Sequence, residues 1–177
     1  MNDKQQTLIV FKPDSMQRGI VGEILARFER AGLKIVGMKM VAPDKEHFHK
    51  HYEEISGLIS RWGEDIFNLT LHQMTETPIL AAVLEGVDAV SHVRKMVGTT
   101  DPKESQPGTI RGDYTHLTKL YTNQRGGTLP NLLHASGSEE EAAKEIKLWF
   151  KDDEIFDYKV AHEEVVKGFI PPKKTKN

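Results

Sequence analysis

Thr7-Leu8-Ile9-Val10-Phe11 is an unbroken β-branched and aromatic run closed by Lys12-Pro13-Asp14, the pattern of a short buried strand. Val21, Ile24, Leu25 and Phe28 then recur at helical spacing, and Gly32 supplies a stop. Leu33 to Val41 alternates loosely and predicts a second strand. Pro43-Asp44 opens another helix, which sets Phe48 and Tyr52 on one face. Residues 53–75 carry a weaker helical pattern with a break near Gly63. After Pro78, Ile79 to Leu84 reads as a third strand. Ala89, Val90, Val93, Met96 and Val97 then give a helix ended by Gly98.

Residues 99–130 lose periodicity. Asp101-Pro102, Pro107-Gly108, Gly112-Asp113 and Gly126-Gly127 make the stretch read as loop, long enough to be functional. Leu132-Leu133-His134 is a short fourth strand. Ser138-Glu139-Glu140-Glu141 has the capping-box pattern, with Ser138 as cap and Glu141 returning the bond. Ala142, Ile146, Trp149 and Phe150 form the apolar stripe of the helix that follows. The element order predicts an α+β fold: a ferredoxin-like βαββαβ sandwich with a four-stranded antiparallel sheet and helices on one face. No repeat or linker divides the chain, so residues 1–177 are expected to form one domain. The lysine-rich tail 171–177 is expected to be disordered.

Composition narrows the chemistry. Apolar residues make up 38% of the chain and charged residues 28%, ordinary values for a soluble globular protein. A net charge of −2 and an aromatic content of 7% favour neither nucleic acid nor an anionic membrane as partner. The absence of cysteine excludes disulfides, thiolate metal sites and cysteine catalysis. Met1 to Gln6 is polar, unlike a signal peptide, and no apolar run reaches the roughly 18 residues of a membrane span, so a cytoplasmic location is expected.

Candidate chemistry gathers at strand ends and in Gly/Pro-rich segments. The chain has no Gly-Lys pair, hence no P-loop, and no Gly-x-Gly-x-x-Gly turn. Lys12 ends the first strand, Arg94 lies on the third helix and Thr100 follows Gly98. Taken singly, each fits a solvated surface residue. Arg111 lies in Pro107-Gly108-Thr109-Ile110-Arg111-Gly112-Asp113, where glycines allow close backbone approach to a ligand and an arginine can grip phosphate with two bonds. His134 fits two descriptions, a satisfied half-buried histidine and a nucleophile. An unperturbed imidazole, with a pKa of about 6.5, is roughly three quarters neutral at pH 7 and attacks phosphorus without a general base. It needs the right tautomer and a fixed ring, which a carboxylate such as Glu145 can supply. His47 and His51, four apart, have zinc-ligand spacing, but Phe48 stands where a zincin has glutamate. An exposed polar helix face is the expectation there.

Together these segments resemble the nucleoside diphosphate kinase family. The resemblance runs through Lys12-Pro13-Asp14, Arg18-Gly19, Gly32-Leu33-Lys34-Ile35-Val36, His51-Tyr52, Val93-Arg94, Gly98-x-Thr100-Asp101-Pro102, Pro107 to Asp113, Asn131-x-x-His134-x-Ser136 and Glu145-Ile146-x-Leu148-Trp149-Phe150. It covers most of residues 6–158. It implies ping-pong transfer of the γ-phosphate of a nucleoside triphosphate, typically ATP, through a phosphohistidine on His134, with broad base tolerance. On that reading Glu145 orients the ring and Ser136 supports it. Lys12, Tyr52, Arg94, Thr100, Arg111 and Asn131 match positions that hold phosphates and ribose. Mg²⁺ is implied as cofactor, carried by the phosphates rather than by a protein cage. A homo-oligomer is implied as well, a hexamer ahead of a tetramer or dimer.

Three departures from the family pattern stand out. Glu53–Leu71 is longer than usual and lacks the Pro-Phe-Phe run; Phe67, with Ile66 or Trp62 as alternatives, is the expected stacking residue for the base. Tyr114–Pro130 is also longer. Gly137 replaces the aspartate usual between the two serines.

Overall fold

The computed structural model describes residues 4–59, 63–161 and 163–166. Trp62 and the tail 171–177 lie outside the described residues.

Four strands form one antiparallel sheet: β1 Gln5–Phe11, β2 Lys34–Val41, β3 Ile79–Gly86 and β4 Leu133–Ala135, in the order β2-β3-β1-β4. This is the ferredoxin-like arrangement. The helices are α1 Pro13–Gln17, α2 Val21–Arg30, α3 Lys45–His49, α4 Glu64–Met74, α5 Ala89–Val97, α6 Ile110–Tyr114, α7 Lys119–Gln124, α8 Glu139–Trp149 and α9 Glu163–Val166. No helix among the described residues is long and apolar enough to cross a membrane.

Helices cover both faces of the sheet, not one as the element order suggested. Side chains alternate along β1, so Ile9 and Phe11 join Ile24 and Phe28 of α2 and Val93 and Val97 of α5. Leu8 and Val10 join Phe48, Tyr52, Phe67, Leu71, Met74 and Trp149 on the opposite side. The unbroken apolar run of β1 follows from this, since a strand covered on both faces has no polar side.

Residues 99–130 are not one loop. They hold a single turn of 3₁₀ helix at Pro102–Glu104 and the short helices α6 and α7. Each is capped locally: Asp101 accepts from the Lys103 amide, Thr109 from Gly112 and Thr118 from Tyr121. Gly112 is required by the protein itself. A Cβ there would sit 2.2 Å from the Gln106 carbonyl oxygen, so its closeness serves the chain and not a ligand. After α3 the helix widens into a π segment, Lys50–Ile55. Such wide turns are frequent at functional sites; this one carries His51 and Tyr52.

A candidate active site at the end of β1

β1 and β4 together build the site. Lys12 follows the last residue of β1, and β4 pairs beside it with His134 opposite Val10. Leu133 and Ala135 face the α2/α5 core, so His134, between them, faces the other way. The chain enters β4 through a tight three-residue turn. The Leu133 amide donates to the Asn131 carbonyl at 2.9 Å, across Leu132 at a φ of 73°. That is strained backbone for a branched side chain. Two bonds hold it: the Leu132 amide donates to Asp14 Oδ2 at 3.0 Å, and its carbonyl accepts from the Lys12 amide at 2.8 Å.

The protons around His134 can be assigned from their partners. Nε2 lies 2.8 Å from Oε1 of Glu145, which is fully buried on α8. A carboxylate there accepts, so Nε2 carries the ring proton and Nδ1 keeps a free lone pair. The Ser136 hydroxyl donates to the other Glu145 oxygen at 2.6 Å and itself accepts from the Leu8 amide at 3.1 Å. Orientation of His134 is thereby tied back to β1. The ring is 17% exposed, open to ligand on one side only.

That open side is a cleft of about 300 Å³, lined by Lys12, Tyr52, Leu58, Arg94, Thr100, Arg111, Asn131 and His134, with Val97, Gly137 and Glu141 among its neighbours. Lys12 Nζ donates to Asn131 Oδ1 at 2.7 Å, and Asn131 Nδ2 donates to the Thr100 carbonyl at 3.0 Å. Burial and the nearby Arg111 cation lower the Lys12 pKa to about 8, with Asp14 opposing. The Tyr52 hydroxyl is buried without a hydrogen-bond partner among the described residues, and burial raises its pKa.

Arg111 departs from expectation. It is 8% exposed, and its guanidinium donates to the backbone carbonyls of Asn131 (3.0 Å), Gly98 (3.0 Å), Thr99 (3.0 Å) and Leu133 (2.7 Å). A planar fork of five N–H groups with four so engaged cannot also grip phosphate with two bonds. Arg111 contributes charge and holds the cleft wall together. Burial, aided by Arg94, lowers its pKa to about 10.

Other sequence expectations need correction. Phe67 does not line the cleft. It is 4% exposed in the core beneath α3, its ring 5.4 Å from that of His49. Half-buried Leu58 is an apolar side chain on the cleft wall instead. His47 and His51 do not form an exposed face: His47 is half-buried and His51 fully buried, both against Trp149. The Gly137 amide donates to Glu141 Oε2 at 3.0 Å; a Cβ would meet that oxygen at 2.5 Å, but it is the movable end of a side chain, so nothing in the structure requires glycine there. Ser138 caps α8 as expected, but Glu141 returns its bond one residue earlier than a capping box does. Asp14 and His51 were not singled out by sequence reasoning as site residues. The Lys-Pro-Asp turn was the available signal for the first.

A lone-pair nitrogen facing a cationic cleft invites comparison with known phosphate-transfer proteins. The sequence profile described as nucleoside diphosphate kinase matches residues 5–155. The chain belongs to the nucleoside diphosphate kinase family. The nucleoside diphosphate kinase of Pyrococcus abyssi is 46% identical over 157 residues, covering 89% of this chain and 91% of that one. That of Borreliella burgdorferi is 41% identical, covering 88% and 92%. A solved Borrelia burgdorferi enzyme, a transition-state mimic with bound vanadate and ADP, superposes with a TM-score of 0.88 at 40% identity, covering 92% and 96%. The Pyrobaculum aerophilum enzyme gives 0.78 at 35%, covering 87% and 100%. Family membership makes the chain a phosphotransferase acting on nucleotides, a reaction that generally uses a divalent metal. Glu141 is the one acidic side chain on the described cleft wall, too few ligands for a protein cage.

Proposed function

We propose that this chain moves the γ-phosphate of a nucleoside triphosphate to a nucleoside diphosphate through a phosphohistidine on His134. The observation that carries the reading is the Nε2–H···Glu145 bond, which leaves Nδ1 free beside Lys12, Arg94 and Arg111. In the first half-reaction Nδ1 attacks the γ-phosphorus in line. The P–Nδ1 bond forms as the bond to the β,γ-bridging oxygen breaks, and the diphosphate leaves with that electron pair. Nε2 keeps its proton throughout, donated to the Glu145 carboxylate, which balances the charge gained by the ring. The second half-reaction is the reverse, onto a different diphosphate.

Lys12 and Arg94 hold phosphate charge, each pair at close range worth on the order of 4 kcal/mol at an effective dielectric near 20 before desolvation. Tyr52 offers a hydroxyl that has no partner among the described residues, and Thr100 and Asn131 meet the sugar and phosphates at the wall. Leu58 offers its apolar side chain to the flat face of the base. Such a contact reads no base edge, which fits broad base tolerance. Mg²⁺ would be held mainly by the nucleotide phosphates and would supply charge neutralisation there, with Glu141 the acidic side chain on the described cleft wall. Met38 and Met40, 52% and 63% exposed on the outer strand β2, offer apolar surface for a homo-oligomer, a hexamer ahead of smaller forms. A cytoplasmic location fits this role.

The test is labelling with γ-labelled Mg·ATP. An acid-labile, alkali-stable label on His134 that is chased by several nucleoside diphosphates is expected. Undiminished label in His134→Ala would overturn the assignment.

A further inference from the structure

His51 holds no phosphate, yet it sits against the nucleophile. It is fully buried, its ring 4.5 Å from that of His134 and 4.7 Å from that of Tyr52. The Trp149 indole, 3% exposed, has one N–H and no acceptor, and it donates to His51 Nδ1 at 3.2 Å. Nδ1 therefore lends its lone pair. Burial, with the positive charge of neighbouring groups, pushes the His51 pKa well below the usual imidazole value, so the ring is neutral and its single proton lies on Nε2. That Nε2 is buried without a hydrogen-bond partner among the described residues.

An orphaned buried N–H is a costly choice of tautomer. The other tautomer has a carboxylate within a small shift of it: Nδ1 lies 3.7 Å from Glu145 Oε1, just outside hydrogen-bond distance. That oxygen is the one that takes the His134 proton at 2.8 Å. Two N–H donors would then share one oxygen, and the bond that fixes the ring and tautomer of His134 would be weakened and drawn off line.

We propose that the Trp149 indole locks His51 in its Nε2–H form, so that Glu145 Oε1 serves His134 alone. His51 and Trp149 are on this account positioning residues for the nucleophile, and the inference rests on the reading of His134 given above. Simple packing would require neither the indole N–H nor an imidazole at position 51. The lock requires both, since an acceptor is needed where a donor would do harm.

Trp149→Phe removes the lock. The expected result is a change of His51 from Nε2–H to Nδ1–H in ¹⁵N NMR. Phosphorylation by Mg·ATP should slow about tenfold at unchanged nucleotide affinity, because the orienting bond of the reacting imidazole is contested. Trp149→Phe/His51→Leu then removes the competing donor, and phosphorylation should recover to within about threefold of the wild-type rate. A pair with purely structural roles predicts the opposite, a double variant slower than the single one, and that result would overturn the proposal. An Nδ1–H signal for His51 in the unaltered protein would overturn it without any variant. These spectra require no phosphoryl transfer, so failure of the His134 reading, seen as a missing phosphohistidine, is distinguishable from failure of the lock.

Discussion

Arg94 and Arg111 stand on the wall of one cleft, and their surroundings differ. Arg111 is buried under the segment between α5 and β4 and commits four N–H groups to carbonyls of Gly98, Thr99, Asn131 and Leu133. Arg94 stands exposed on α5, with one long 3.5 Å contact to the Ala135 carbonyl. One arginine organises the backbone around His134; the other is free to meet a ligand. A cation's presence in a site is therefore a different matter from its availability there.

The sharpest way to break this comparison is to remove each guanidinium in turn. Arg111→Met leaves four backbone carbonyls short of a donor and should destabilise the fold by roughly 3–5 kcal/mol. Arg111→Lys should rescue little, because one ammonium cannot reach all four. Arg94→Ala should change stability by less than about 0.5 kcal/mol while weakening nucleoside diphosphate binding about tenfold. Urea titrations and calorimetric binding on the same samples read both. Equal midpoints for the two variants would erase the distinction.

Glu145 extends the contrast to a buried anion. Glu145→Gln keeps its shape and removes its charge, so phosphohistidine formation should slow at least about tenfold with little change in nucleotide affinity. A rate unchanged in single-turnover labelling would mean that the carboxylate only positions the ring.

Lys12 lies between the two arginines in character, and pH separates its roles. Its pKa is lowered from 10.5 to about 8 on folding. Between those values the unfolded chain binds more protons, so the nucleotide-free protein gains stability as pH rises through that window, and the full penalty is present below about 8. Nucleotide affinity should move oppositely, falling as the ammonium is lost, with bound phosphate pushing that midpoint upward. Melting temperature against pH for wild type and Lys12→Met checks the sign; a rise of the same size in the variant would assign it elsewhere. The smallest effect is expected at Ser138, outside the arginine frame altogether. Ser138→Ala should cost about 1 kcal/mol through the lost cap and leave labelling of His134 intact.

Much of this was legible in the residues. The runs at β1 and β3, the stop at Gly98 and the cap at Ser138 are local signals, and local structure obeyed them. Lys12, Asn131, His134, Ser136 and Glu145, named from separate segments, do converge. What stayed hidden was set by tertiary ties. α6 and α7 have five and six residues, too few for periodicity, and hold through caps and through Asp101, whose carboxylate accepts from the Lys119 amide at 3.1 Å. His51 sits among Lys50, Glu53 and Glu54, a polar neighbourhood that concealed its burial; its partner Trp149 is 98 residues away. Arg111 carried the glycines of a ligand loop, and nothing local said that four carbonyls of its own chain would claim it first.

The turn at Leu132 has a consequence for how this site can change over generations. Its left-handed backbone, at a φ of 73°, would be eased by glycine or asparagine. Its side chain, 0% exposed in the α2/α5 core, would be lost in either exchange. Either conformationally easy replacement therefore gives up the packing. The position two residues before His134 therefore has few acceptable neighbours in sequence space, and a library randomised there should return leucine or a close apolar relative.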